Sequence, residues 1–319
     1  MYKPVIFSYR RRQCNGTCVK GRVRALCGNL KDLVEAMADE KIAVVTGSSS
    51  GIGLLTAVEL ALAGYGVVAS MRNLANSGRL EEAAQRAGVR DRIYVLRLDI
   101  TEFESLAGAV DEVVRSHDRI DVLVNNAGFS MAGFAEDLTL DELRQQLETN
   151  FFGNVAMTKA VLPVMRRQKS GHIVTVTSVG GLLAHPMLSA YCASKYALEG
   201  WSESLRIETH SLGIRVVLVE PGAYDTDIWE RNVVIAKGSL DPASPNKERS
   251  QRFAEFVKSR AKHRRDAREV AKLIVRIAQD PNPKLRYPIG NDAKMQVWLK
   301  RLVPWRKYER MVAKAVKID

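Results

Sequence analysis

The chain has 319 residues, 46% of them hydrophobic and 26% charged, which suits one sizeable core with additions at its ends. Its net charge is +12, and half of that excess sits in residues 1–36, where eight Lys/Arg face two Asp/Glu. No zinc-finger, homeodomain or RRM-type signature accompanies the charge, so nucleic acid is not an expected partner. The longest uncharged run, 170–194, is too rich in Ser, Thr, Gly, His and Pro to cross a bilayer.

Residues 1–36 show no clear period and read as a basic, disordered extension ahead of a domain that begins near Met37. An Arg-rich, acid-poor targeting segment is the rival reading. Cysteines at 14, 18, 27 and 192 form no disulfide framework, which suits a reducing, cytoplasmic compartment. No ligand cluster follows Cys14 and Cys18, so no metal site is expected. The tripeptide 15–17, NGT, is a glycosylation acceptor only in a secreted chain.

From Lys41 the pattern becomes regular. Residues 41–46, KIAVVT, form a β-branched run that ends in glycines, as a buried parallel strand does. Residues 54–64 have helical periodicity and stop at Gly64. The alternation repeats with strand 66–70, helix 79–88, strand 92–98, helix 103–116, strand 121–128 and a long helix from about 139 to 167. Strands 172–178 and 214–222 flank the helix that carries SAYCASKYALEG, 189–200, and strand 285–290 follows helix 268–278. This alternation predicts an α/β domain over 37–290, a doubly wound parallel sheet of about seven strands. Such sheets bind ligands beyond the C-terminal ends of their strands, where strand order reverses.

TGSSSGIG, 46–53, lies between the first strand and the first helix. Gly47, Gly51 and Gly53 allow a tight turn and close backbone approach to a pyrophosphate. Its charge faces the helix N-terminus, where Ser49, Ser50 and Ile52 also stand. The strand-turn-helix context predicts a dinucleotide site. The second strand ends in Ser70, Met71 and Arg72, with no carboxylate before Glu81. An arginine grips a ribose 2′-phosphate that a carboxylate would repel, so NADP(H) is favoured over NAD(H), with Arg72 as its contact. A solvated loop cation is the plainer reading of Arg72.

Tyr191 stands four residues ahead of Lys195, the only formal charge between Ser170 and Glu199. Residues four apart share a helix face. A phenol with a pKa near 10 is a poor base at neutral pH, and a neighbouring ammonium lowers that pKa. The pair then forms a proton donor and acceptor suited to carbonyl reduction or alcohol oxidation.

Further fragments end strands or open helices: Leu98-Asp99, NNAG at 125–128, Asn150 in ETNFFG, Ser178 in IVTVTSVGG, YCASK at 191–195 and PGAYDT at 221–226. With the glycine turn, and in this order over roughly 40–228, they resemble the short-chain dehydrogenase/reductase family, within it the hydroxysteroid and retinol dehydrogenase-like branch. The resemblance implies a Rossmann-type fold and an enzyme. It implies Tyr191 as general acid in reduction and base in oxidation, with Lys195 lowering its pKa and bonding the nicotinamide ribose. Ser178 would hold the substrate oxygen, and Asn150 would anchor a water passing protons from Lys195 to solvent. Asp99, with Ile100 beside it, would meet the adenine, and Asn126, Ala127 and Gly128 would line the adenosine side. Pro221, Gly222 and Thr226 would hold the nicotinamide end. A homodimer or homotetramer acting on a small-molecule carbonyl or alcohol is implied as well.

The substrate side carries less pattern. Residues 227–265 are charged and irregular and are expected to form a flap over the substrate. Trp229 and Val233 to Ile235 from the flap, with Leu182, Leu183, His185 and Met187, are the expected contacts to an apolar, steroid-, retinoid- or lipid-like molecule. Residues 291–319 alternate apolar groups with Lys and Arg around Pro304. Such a basic amphipathic tail packs against the domain, the preferred reading, or lies on an anionic membrane. Two other functions stay open: a ketoreductase for a carrier-bound acyl group or specialised metabolite, and a cofactor-sensing protein without turnover.

Overall fold

Runs of aliphatic, largely β-branched residues form seven strands of one sheet in the computed structural model, which describes residues 40–316. The expectations for the head, 1–36, lie outside the described residues. The strands are β1 (Ile42–Val45), β2 (Gly66–Met71), β3 (Ile93–Arg97), β4 (Val122–Asn125), β5 (Gly171–Val176), β6 (Ile214–Pro221) and β7 (Arg286–Ile289). Their order is β7-β6-β5-β4-β1-β2-β3, and every pairing is parallel. Central strands such as β1 and β4 are buried along their whole length because helices cover both faces. Strand order reverses between β1 and β4, which opens the crevice where such sheets take a ligand.

The helices longer than a single turn are α1 (Gly51–Leu62), α2 (Gly78–Arg86), α3 (Phe103–His117), α4 (Leu140–Leu147), α5 (Asn154–Gln168), α6 (Ser189–Glu208), α7 (Lys247–Arg260), α8 (Arg268–Gln279), α9 (Asn291–Leu302) and α10 (Trp305–Ala315). One core lies between the sheet and α1, α2 and α8, with Leu60, Leu80 and Ile274 at its centre. The other lies under α3, α5 and α6, around Leu106, Met157 and Leu205. A doubly wound sheet therefore has a packed core on each face.

Three regions differ from the sequence reading. The single helix expected over 139–167 is two. Thr139 opens α4 with a capping box shared with Glu142, and Glu148–Gly153 then forms a π-turn before α5 begins. That wider turn carries Asn150 inward. The segment expected to be irregular contains a strand, Val233–Ile235, parallel to Ser130–Ala132, and the helix α7. No residue of α7 is fully buried, and its short apolar stripe, Phe253, Phe256 and Val257, is only half-buried and sits among many charges. The C-terminal segment forms α9 and α10, and packing accounts for one of their faces. Ala293 is buried against Val179 and Leu183, and Lys300 Nζ donates to Leu182 O and Tyr196 Oη, both at 2.8 Å. Met295, Trp298, Leu302 and Trp305 face outward. Among the described residues no helix is long and apolar enough to cross a membrane.

Candidate functional site

The crevice is closed at one end by the turn after β1. Thr46 Oγ1 accepts from the backbone N–H groups of Asn126 and Ala127, both at 3.0 Å, which fixes the ends of β1 and β4 together. Gly47 has φ +68°, and a Cβ there would come within 2.8 Å of Ala127 Cα. At Gly53 a Cβ would collide with Gly47 O and Asn126 Nδ2. Only glycine lets α1 start so close to the strand ends. The N-cap residue Ser50 makes no side-chain capping bond, and the first turn of α1 has no acid. Uncapped amides at the positive end of a helix, behind a glycine cradle, fit a pyrophosphate.

From this turn a cleft of about 540 Å³ runs along the C-terminal ends of the strands. It gathers Gly47, Ser49, Ser50, Gly51, Ile52, Arg72, Asp99, Ile100 and the stretch Asn126, Ala127, Gly128 at one side. Asn150, Ser178, Tyr191 and Lys195 stand further along, with His185, Pro221, Gly222, Thr226 and Trp229. Gly53 lies behind the turn and does not line the cleft, and neither does Leu182, whose carbonyl accepts from Lys300. Of the other expected apolar contacts, Val234 lines it, whereas Leu183 is buried against Ala293.

Helix α6 sets the reactive corner by placing Tyr191 and Lys195 one turn apart, both nearly buried. Lys195 Nζ donates to Val176 O at the end of β5, 2.9 Å away, and lies 5.8 Å from the Tyr191 ring centroid. Ser178 Oγ accepts from Gly180 N at 3.0 Å. A Cβ on Gly180 would come within 3.3 Å of Tyr191 Cε1 and 3.4 Å of Ser178 Oγ, so both side chains crowd this glycine. The expected lowering of the phenol pKa by Lys195 is not what this corner does. Burial pushes Tyr191 up to about 12, with the Ser178 hydrogen bond pulling partly back. Burial also pushes Lys195 down to about 8, opposed by Glu199. Desolvation is the leading cause of both shifts. Asn150 is buried in the same wall, but its amide is engaged. Oδ1 accepts from Phe129 N at 3.0 Å, and Nδ2 donates to Phe129 O at 2.9 Å and Ser194 Oγ at 3.2 Å.

Beyond the end of β3, Asp99 Oδ1 accepts from Thr101 N and Oγ1, at 3.0 and 2.7 Å, while Oδ2 is 4.0 Å from Arg72 Nε. The flap reaches back over the turn. Asp227 pairs with Arg79 of α2 at 3.0 Å, and Thr226 Cβ lies 3.5 Å from where a Cβ of Gly51 would stand. Trp229 Nε1 donates to Tyr224 O at 2.8 Å, and the Arg264 guanidinium lies 4.9 Å from its ring centroid.

Two groups at or behind the cleft lie outside the sequence motifs. Asp292 and Gln296 of α9 line it, and Asp292 Oδ2 accepts from Ala223 N at 2.8 Å. The sequence placed them in the tail, although Gly290-Asn291-Asp292 follows a strand as the Gly47 turn does. Behind Lys195, Glu199 accepts from Thr177 Oγ1 at 2.7 Å and pairs with Arg286 at 3.0 Å. Glu220 is fully buried, 3.5 Å from Arg286, with neither carboxylate oxygen hydrogen-bonded. Its signal was a lone acid in an aliphatic strand, which demands a partner. Among the described residues no His/Cys/Asp/Glu group could hold a metal ion.

A family model described as short chain dehydrogenase matches residues 41–233. The chain is 40% identical over 277 residues to the uncharacterized oxidoreductase YusZ of Bacillus subtilis, covering 86% of this chain and 98% of the relative. It is 36% identical over 259 residues to retinol dehydrogenase 8 of Bos taurus, covering 78% and 82%. Its fold resembles the crystal structure of a short-chain dehydrogenase from Streptomyces avermitilis, with a TM-score of 0.69, 32% identity and coverage of 85% and 98%.

Proposed function

The chain belongs to the short-chain dehydrogenase family and is an NAD(P)-dependent oxidoreductase, and from that premise we propose that it interconverts a carbonyl and an alcohol on an apolar small molecule, with NADP(H) as cofactor and Tyr191 moving the proton. What supports this most is a single juxtaposition. Tyr191, Ser178 and Lys195 share one cleft with a glycine turn whose bare helix end fits a pyrophosphate. When bound, the nicotinamide dinucleotide supplies or accepts the hydride.

Gly47, Ser49, Ser50, Gly51 and Ile52 would hold its pyrophosphate, and Arg72 its 2′-phosphate. Asp99, Ile100 and residues 126–128 would face the adenosine, while Pro221, Gly222 and Thr226 hold the nicotinamide end beside Tyr191 and Lys195. Ser178 would hold the substrate oxygen as negative charge builds on it. A phenol raised to about 12 is protonated at neutral pH, so Tyr191 stands ready to donate to that oxygen. Lys195, lowered to about 8, is still mostly protonated at neutral pH and places a cation beside the phenol as it gives up its proton. Trp229, Val234 and Leu188 give the substrate end an apolar lining, in keeping with a retinoid-, steroid- or lipid-like substrate. A homodimer or homotetramer is the assembly that the family implies.

The test is consumption of NADPH and of NADH across a panel of apolar ketones and aldehydes, repeated with Tyr191→Phe. The variant should lose at least about a hundredfold in kcat while its NADPH dissociation constant stays within about threefold. Full activity in Tyr191→Phe would overturn the assignment.

A further inference from the structure

The outer face of α9 and α10 is built unlike the rest of the surface. Met295, Trp298 and Leu302 recur along one side of α9, and Trp305 follows at the start of α10. All four are between 61% and 62% exposed. The inner side of the same pair is already used, through Ala293, Val297 and Tyr308. Trp305 still meets Tyr308, with ring centroids 5.7 Å apart, but among the described residues the outer stripe stays mostly open to solvent. It also lies among cations. Between 294 and 316 there are seven Lys/Arg and a single acid, Glu309, and Lys294, Arg301, Arg306, Lys307 and Arg310 are exposed.

Apolar groups ringed by one sign of charge select their partner. A second copy in a two-fold contact would bring the same cations against themselves. An anionic bilayer surface instead receives tryptophans at the headgroup level and pairs lipid phosphates with the flanking cations. We propose that the outer face of α9 and α10 docks the protein on an anionic lipid bilayer. The docking stands independently of the catalytic assignment. If that assignment also holds, the arrangement has a further consequence: Asp292 and Gln296 on the inner side of α9 line the cleft, so the docked protein holds its cleft next to a store of apolar substrate.

The experiment is co-sedimentation of the full chain with vesicles of phosphatidylcholine alone or with about one third phosphatidylglycerol. Binding to the anionic vesicles only, released at roughly 0.5 M salt, is expected. Lys294→Glu/Arg306→Glu/Arg310→Glu should weaken the partition on the order of a hundredfold, and Trp298→Ser/Trp305→Ser should also weaken it. Both variants should keep the wild-type melting temperature and NADPH affinity. Three results would each overturn the proposal. One is no binding of folded wild type to anionic vesicles. Another is undiminished binding of both variants, which would assign the contact to another basic surface. The third is a change of mass in light scattering, which would make the face a contact between copies.

Discussion

The Arg72 side chain is 80% exposed, and its Nε stands 4.0 Å from Asp99 Oδ2. An exposed pair that loose contributes at most about 1 kcal/mol, whereas a hydrogen bond to a charged group contributes about 1.5 to 3 kcal/mol. A 2′-phosphate would therefore win the guanidinium from Asp99. Replacing Arg72 by Ala should raise the KM for NADPH roughly tenfold and leave that for NADH within about twofold in steady-state assays. An equal rise for both cofactors would remove the arginine from cofactor choice. That Arg72 lies at the cleft was readable in the sequence because it follows the end of a strand, where such sheets open toward a ligand. Glu220 and Asp292 were not readable in the same way. Arg286 meets Glu220 only because Pro288 of β7 stands in register with it, and no sequence pattern reveals a register across 66 positions. Asp292 reaches Ala223 N only because Gly222, where a Cβ would strike that carboxylate, leaves room.

At the scale of elements, legibility followed burial. The strands and α1, α3, α6 and α8 bury an apolar face and so print a period on the sequence. The π-turn at Glu148–Gly153 was hidden because a lone glycine inside a helical period is a weak stop signal. That glycine is there for contact, since a Cβ at Gly153 would lie 2.8 Å from Ile100 Cδ1. Helix α7 was hidden for the opposite reason, as it has no fully buried residue. Little tertiary packing holds it, so it should open more readily than the sheet. It is also dense in tryptic sites, with Lys247, Arg249, Arg252, Lys258 and Arg260. Within residues 41–316 the first tryptic cuts should fall between Lys247 and Arg264, read by mass spectrometry after brief digestion. First cuts in α9 or α10 would place the weakest packing at the C-terminal pair instead.

For the whole molecule, the buried groups behind the cleft tie stability to pH. Burial beside Glu199 holds Glu220 up to about 8, from an ordinary 4.5, and burial raises Glu199 as well. Between those pH values the unfolded chain has released a proton that the folded chain keeps, so stability falls as pH rises. Lys195 acts with the opposite sign. Its pKa drops from 10.5 to about 8, so between about 8 and 10.5 the unfolded chain binds a proton that the folded chain lacks, and stability recovers with rising pH. Tyr191, raised from 10.0 to about 12, then turns the trend down again above about pH 10. The two opposed slopes meet near pH 8 and predict a shallow minimum there, visible in thermal melts at steps from about pH 5 to about pH 10. Glu220→Gln should flatten the falling limb, by on the order of 2 kcal/mol at its end, and Lys195→Met should flatten the recovery. Melts in which both variants keep the wild-type slopes would mean that these side chains titrate alike in the folded and unfolded chains, which a fully buried, unbonded carboxylate does not allow.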